Sequence, residues 1–269
     1  TAVEVVRGPF SFFPAEPDTG IIFIRDDLPT KPQIECRSEY ACTDARWTSL
    51  VKNNIRVEHT EHLLAAIAGL GIDNIKVHLS SQHIPVVSHF SSNEFVEALL
   101  EAEPVIQQLP KSYLTITEPQ WVFDSFIYNN QRYDSILIAL PASEPTFTYM
   151  LDYPSKQIST QLAHYQLSTN SEFVSELAPA RSYIMDYEYE SVEKLIGSAI
   201  DQCLIISNET DSELRWENEP ARHKLVDLIG DLSTIGRQVK GHFIGIRTGH
   251  KTNIQMAKKI CQLFRGDHQ

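Results

Sequence analysis

The stretch VEHTEHLLAAIAGLGIDN, residues 57–74, opens on two Glu-His pairs and then becomes an apolar helical repeat. Glycine closes that repeat, and IKVHL (75–79) alternates as a strand does. A helix starting near Thr60 therefore runs through a tight turn into a strand. His59 and His62, three residues apart, lie on one face of such a helix, as metal ligands often do. Glu58 and Glu61 each precede one of them, so either pair offers a ligand beside a base, and spacing does not choose between the pairs. Neither HExxH nor its inverted HxxEH form is present, which excludes the common metalloprotease motifs.

The same parts recur further on. RHKLVDLIGDL (222–232) places His223, Asp227 and Asp231 four residues apart along a helix starting near Glu219, all on one face. An imidazole and a carboxylate one turn apart can share a divalent metal, with the further acid orienting a neighbour. Taken alone, the segment reads more readily as a solvated acidic stripe with a helix-terminal histidine. Strand 242–247 follows, then RTGHKTN (247–253) with His250 in a loop, then a helix from Thr252 to about Phe264. A loop histidine at a strand end suits a general acid or a simple helix-capping loop. In the first half, strand 75–79 leads likewise to a loop with His89 and a helix after Ser91. If this parallel is a duplication, two similar sub-domains face each other and bring helix-borne histidines into one cleft.

Further strands are expected at 21–25, 114–118, 135–140, 146–151 and 203–207, and capping boxes at Ser91 with Glu94 and Thr169 with Glu172. Strands and helices alternate without a steady βαβ order, so the class is α+β. QQLPKSYLTITEPQ (107–120) is the expected junction, dividing 1–112 from 113–269.

The chain has 269 residues, 42% of them apolar, enough for a substantial core, and no window suits a membrane span, so a soluble globular protein is expected. With 23 basic and 35 acidic residues, the net charge of -12 argues against nonspecific nucleic-acid binding. Cys36, Cys42, Cys203 and Cys261 form no CxxC pair, which suggests a reducing compartment and makes them poor zinc ligands. TAVEVVRGPF lacks a signal-peptide layout, and a start without Met beside a strand pattern leaves a trimmed terminus open.

Five ordered motifs carry a resemblance: EHLLAAIAGLGIDN (61–74), IPVV (84–87), LAPARSY (177–183), RHKLVDLIGDL (222–232) and GHKTN (249–253). Together with PAEPDTGIIFIRDDL (14–28), they resemble the zinc-dependent UDP-3-O-acyl-N-acetylglucosamine deacetylases of lipid A biosynthesis, over nearly the whole chain. The resemblance implies two similar sub-domains, each a mainly antiparallel sheet with helices, the helices packed between the sheets. It implies one Zn2+ held by His62, His223 and Asp227, with Glu61 as general base. His59 then lies behind the ligands, where it could orient one of them, or at the surface. His250 becomes the acid, Asp231 stabilises its charged form, and Ser182, where the family has threonine, donates to the oxyanion. Lys224, Tyr183 (phenylalanine in the family) and Arg181 contact substrate. Arg181, Lys224, Arg237, Lys240 and Lys251 form a basic cluster for the diphosphate, and an acyl-passage insert falls at about 183–208.

A UDP-linked acylated amino sugar is the implied partner, handled by a cytoplasmic monomer with at most peripheral membrane contact. The chain departs from the family where Asp-Gly-Ser gives way to Ser88, His89 and Phe90. The insert's glycine-rich turn shrinks to Gly197, and the glycine-rich segment ahead of residue 10 is missing. These changes touch loops facing substrate, so two alternatives stand beside the deacetylase: a paralogue acting on another nucleotide sugar, and a non-catalytic binding protein of the same fold.

Overall fold

A computed structural model describes residues 5–7, 9–85, 88–155, 157–167, 170–207 and 213–266. Val86 and Val87 of the IPVV motif and the proposed cap Thr169 lie outside the described residues. Strands β1 (Val5–Arg7), β2 (Phe10–Pro14), β3 (Ile21–Arg25) and β4 (Gln33–Glu35) precede a small antiparallel sheet of β5 (Ala41–Cys42), β6 (Ser49–Lys52) and β7 (Ile55–Glu58). Helix α1 (Glu61–Gly69), β8 (Ile75–Leu79) and α2 (Asn93–Glu101) follow. The first main sheet runs β1-β2-β8-β3-β4, antiparallel except where β3 and β8 run parallel.

The second half begins with β9 (Tyr113–Thr115), β10 (Gln120–Tyr128), β11 (Gln131–Leu140), β12 (Pro145–Leu151) and β13 (Gln161–Gln166). After a turn α3 (Asn170–Glu172) that continues into a π-helical segment Phe173–Leu177 come β14 (Tyr183–Met185), α4 (Tyr189–Ile196) and β15 (Leu204–Ile206). The chain closes with α5 (Glu219–Ser233), β16 (Gln238–Ile246) and α6 (His250–Gly266). The second main sheet runs β10-β11-β16-β12-β13, with β12 and β16 parallel and β9 added alongside β16.

The duplication is visible in topology. In both sheets a parallel central pair, β3/β8 and β12/β16, is flanked by antiparallel strands. With β9, the small β5-β6-β7 sheet, α3 and the β14-α4-β15 unit set aside, chain order in both is four strands, a helix, a strand and a helix. β14 and β15, parallel with α4 between them, form a separate βαβ unit around Ile184, Val192 and Ile200, where the insert was expected. The α+β reading holds, while the edge strand β10 and the small β5-β6-β7 sheet carried too little pattern to be read. The helix start expected at Ser91 is realised slightly later: Ser91 Oγ accepts the N–H of Asn93, where α2 begins.

The helices form the inner layers. Every residue of α1 but His62 is buried, because Leu, Ile and small Ala residues cover all its faces. It packs on α5, which packs in turn on β12 and β13, and one core cluster runs from Phe12, Phe23 and Val77 through both helices to Leu137, Phe147 and Phe243. The α1–α5 crossing is closest at Gly230, where a Cβ would stand 2.0 Å from the carbonyl oxygen of Glu61 and 2.7 Å from its carbon. No side chain fits there unless the helices separate.

Gly230→Ala is expected to lower the melting temperature by about 5 °C or more, since overpacking against rigid backbone costs roughly 1–3 kcal/mol. Calorimetry checks this, and an unchanged transition would show that the crossing can open freely.

Candidate active site

Four elements meet around one point. α1 delivers Glu61 and His62 in its first turn, α5 delivers His223, Asp227 and Asp231 at four-residue steps, and α6 begins with His250. The segment 180–183 closes a further side. His62 Nε2 lies 3.3 Å and His223 Nε2 3.5 Å from Asp227 Oδ1, and ligand atoms of all three residues fall within 4.8 Å of one another. Among the described residues no other group of three histidine, cysteine or carboxylate side chains converges this way.

The three residues are suited to hold a metal ion. His223 Nδ1 donates to the Ala180 carbonyl at 3.1 Å, which leaves the Nε2 lone pair toward the triad. Burial holds its imidazole neutral, down to about 4. Burial alone would raise the Asp227 carboxyl, but Lys224 and the histidines outweigh it and keep the group well below the usual range. Asp227 Oδ2 accepts from Lys224 Nζ at 2.9 Å, whereas Oδ1 is buried without a hydrogen-bond partner. A buried orphan carboxylate oxygen between two imidazole nitrogens fits a divalent cation with mixed nitrogen and oxygen ligands.

Beside the triad sit two differently tuned groups. Glu61 is buried, which raises its carboxyl, and its Oε2 accepts the Thr48 backbone N–H at 3.0 Å. His250 Nδ1 donates to Asp231 Oδ2 at 2.9 Å. Burial opposes the imidazolium, but the Asp231 carboxylate prevails and the His250 pKa rises to about 10. Asp231 is fully buried and also accepts from Thr48 Oγ1 at 2.6 Å and Asn253 Nδ2 at 2.8 Å. Thr48 and Asn253 carried no signal by themselves, because their partners lie far away in the chain.

Ser182 is fixed by its backbone, with its N–H on the His89 carbonyl and its carbonyl accepting from Leu204 N–H. Tyr183 stands edge-on to His223 at 6.4 Å, its hydroxyl on that of Tyr153. Lys224, His250, Lys251, Arg247 and Tyr153 line an adjoining cavity of about 340 Å³. Arg181 does not line it; its guanidinium makes a two-point pair with the buried Glu219. Arg237 lines a different cavity, and Lys240 lies over the Tyr113 ring. The expected basic cluster is therefore dispersed, and only Lys224 and Lys251 face the cleft. His89 is exposed with a φ of 62°, in the left-handed region that glycine adopts freely.

The two Glu-His pairs separate. Glu58 pairs with Arg56 and His83, and His59, with a φ of 61°, precedes the helix instead of lying on it. Its ring stacks on Trp47 at 4.0 Å, and burial lowers its pKa to about 4.

A nitrogen-oxygen triad flanked by a buried carboxyl and a carboxylate-paired imidazole is an arrangement suited to metal-assisted hydrolysis. The chain matches the family model described as LpxC, UDP-3-O-acyl N-acetylglycosamine deacetylase, over residues 7–262, and it belongs to that family. It is 32% identical to the UDP-3-O-acyl-N-acetylglucosamine deacetylase of Trichormus variabilis across 93% of this chain and 89% of that one. The enzyme of the same name from Coxiella burnetii is 32% identical, with 92% and 81% covered. A bifunctional enzyme LpxC/FabZ from Chlorobaculum tepidum is also 32% identical, over 93% of this chain and 59% of its own length. No helix among the described residues is long and apolar enough to cross a membrane.

The His250–Asp231 pair has a signature in stability. The folded pKa of about 10 stands above the ordinary value of 6.5, so its contribution is complete below pH 6.5 and is lost as pH rises through 10. Urea midpoints between pH 6 and 10 should fall more steeply in the wild type than in His250→Gln; parallel curves would count against the pair.

Proposed function

We propose that the protein removes the acetyl group from UDP-3-O-(3-hydroxyacyl)-N-acetylglucosamine, the committed step of lipid A biosynthesis. The observation that carries this reading is the orphan Asp227 Oδ1 facing two imidazole nitrogens, with Glu61 and the charged His250 beside it. One Zn2+ on His62, His223 and Asp227 would supply Lewis-acid activation of a water and of the acetamide carbonyl. Glu61, its proton affinity raised by burial, takes a proton from the attacking water. The Ser182 hydroxyl donates to the oxyanion as the carbonyl carbon becomes tetrahedral. The C–N bond then breaks, and His250, kept charged by Asp231, protonates the departing amine. Acetate and a free 2-amino sugar result.

Lys224 and Tyr183 are assigned to the sugar nucleotide, since Lys224 faces the cavity and Tyr183 reaches its wall through Tyr153. Arg181 serves it indirectly, fixing through Glu219 the segment that carries Ser182 and Tyr183. The βαβ unit is assigned to the acyl chain, supported by its exposed Tyr187 and Leu195. The reading carries a division into sub-domains 1–112 and 113–269, a monomeric enzyme and a cytoplasmic location, the last supported by four unpaired cysteines. A second reading, a paralogue acting on another nucleotide sugar, is favoured by His89 and Phe90, both at positive φ where the family carries Asp-Gly-Ser.

Purified protein should hold about one zinc per chain and lose it in Asp227→Ala, as metal analysis reads directly. Zinc-loaded wild type should release acetate from the acylated UDP-N-acetylglucosamine, and Glu61→Ala should not. Turnover of other UDP-linked acetamido sugars in preference to this one would establish the second reading.

A further inference from the structure

We infer that Thr48 is a positioning residue that holds the base and the acid of the site in register across the two halves of the molecule. It is fully buried, in the segment entering β6, and uses every polar atom it has. Its backbone N–H donates to Glu61 Oε2 at 3.0 Å, and its hydroxyl donates to Asp231 Oδ1 at 2.6 Å. Its carbonyl accepts both the N–H and the hydroxyl of Thr60, each at 3.1 Å, which ties it to the residue preceding α1.

The two donors of Thr48 are separated by three covalent bonds, so one residue sets the distance between two carboxylates carried by different helices. The β-branched side chain has few accessible rotamers, which fixes the direction of the hydroxyl once the backbone is placed. Asp231 shows why this matters. Its Oδ2 is shared by His250 Nδ1 and Asn253 Nδ2, and Oδ1 is left to Thr48. Without the hydroxyl, the buried carboxylate can rotate toward its remaining donors, and the imidazole that follows it turns away from the leaving amine. Thr48 comes from the first half and Asp231 from the second, so the bond also fixes how His250 is presented to Glu61.

The inference rests on the roles given above to Glu61 and His250, and two readouts separate it from them. Thr48→Val keeps the shape and the N–H to Glu61 and deletes only the hydroxyl; Thr48→Ser keeps the hydroxyl. In the full-length, zinc-loaded protein, Thr48→Val is expected to lower kcat roughly 10- to 100-fold, the usual effect of removing an outer partner, with KM within about twofold and metal content unchanged. Thr48→Ser should recover most of that loss. Independently of turnover, the His250 Nδ1 proton resonance should shift or vanish in Thr48→Val and persist in Thr48→Ser. If Val does not fold, Thr48→Ala replaces it in both measurements. A folded Val or Ala variant with wild-type kcat and an unmoved resonance overturns the inference, as does a serine variant as impaired as valine. Should the wild type not turn over this substrate, the functional reading fails while the resonance still decides the role of Thr48.

Discussion

The site depends on how closely two helices approach. At Gly230 the backbone of α1 comes so near α5 that the Glu61 carbonyl occupies the place of a side chain. This contact puts the first turn of α1 over the middle of α5, where His223 and Asp227 project one turn apart. His62 then reaches Asp227, and Glu61 enters a position too buried for an ordinary carboxylate. Helices usually pack with axes 8–10 Å apart because side chains intervene, and a wider crossing here would leave two incomplete half-sites. The apolar, alanine-rich sequence of α1 serves the same end, since small residues let the helix lie enclosed by its neighbours.

Within the enclosed volume, three carboxylates of similar intrinsic acidity receive different environments. Asp227 has Lys224 on one oxygen and imidazoles near the other, so it stays ionised, the form that could hold a cation. Asp231 is surrounded by donors and keeps His250 charged. Glu61 has one backbone donor and little else, and its proton affinity rises. Environments that push titratable groups apart are how a fold assigns acid and base roles.

Much of this was legible in the sequence, and the exceptions have physical causes. Periodicity placed His223, Asp227 and Asp231 on one face because spacing along a helix is local information. The choice between the Glu-His pairs was not local. The i,i+3 reading assumed that both histidines were helical, whereas His59 precedes the helix in a left-handed conformation that sequence spacing does not reveal. Charge counting misled for a related reason: cations close in a list of motifs proved to have separate carboxylate partners, Arg181 with Glu219 and Lys251 with Asp124. The duplication was readable as a repeated order of parts, but strand pairing, and with it the parallel centre of each sheet, required tertiary structure. Thr48 was invisible, and Asn253, although inside GHKTN, gave no sign of its partner, because a buried hydrogen bond between distant residues leaves no pattern in either neighbourhood.

The balance of charge ties these features to an anionic substrate. With Glu61 ionised, the three carboxylates outnumber Lys224 and His250 by one, so the bare site carries the same sign as the acidic protein around it. Such a site repels a nucleotide diphosphate. A dication held by His62, His223 and Asp227 would reverse the local sign beside Lys224, which faces the cavity. At the effective dielectric of a partly buried site, about 20, a unit charge acting over ~4 Å is worth roughly 4 kcal/mol, more than isolated surface lysines provide. A protein with a net charge of -12 can therefore attract an anion through one local inversion of charge and has no need of a broad basic surface. The same inversion would favour the oxyanion of the reaction over its neutral precursor, so substrate attraction and catalysis would draw on a single electrostatic feature.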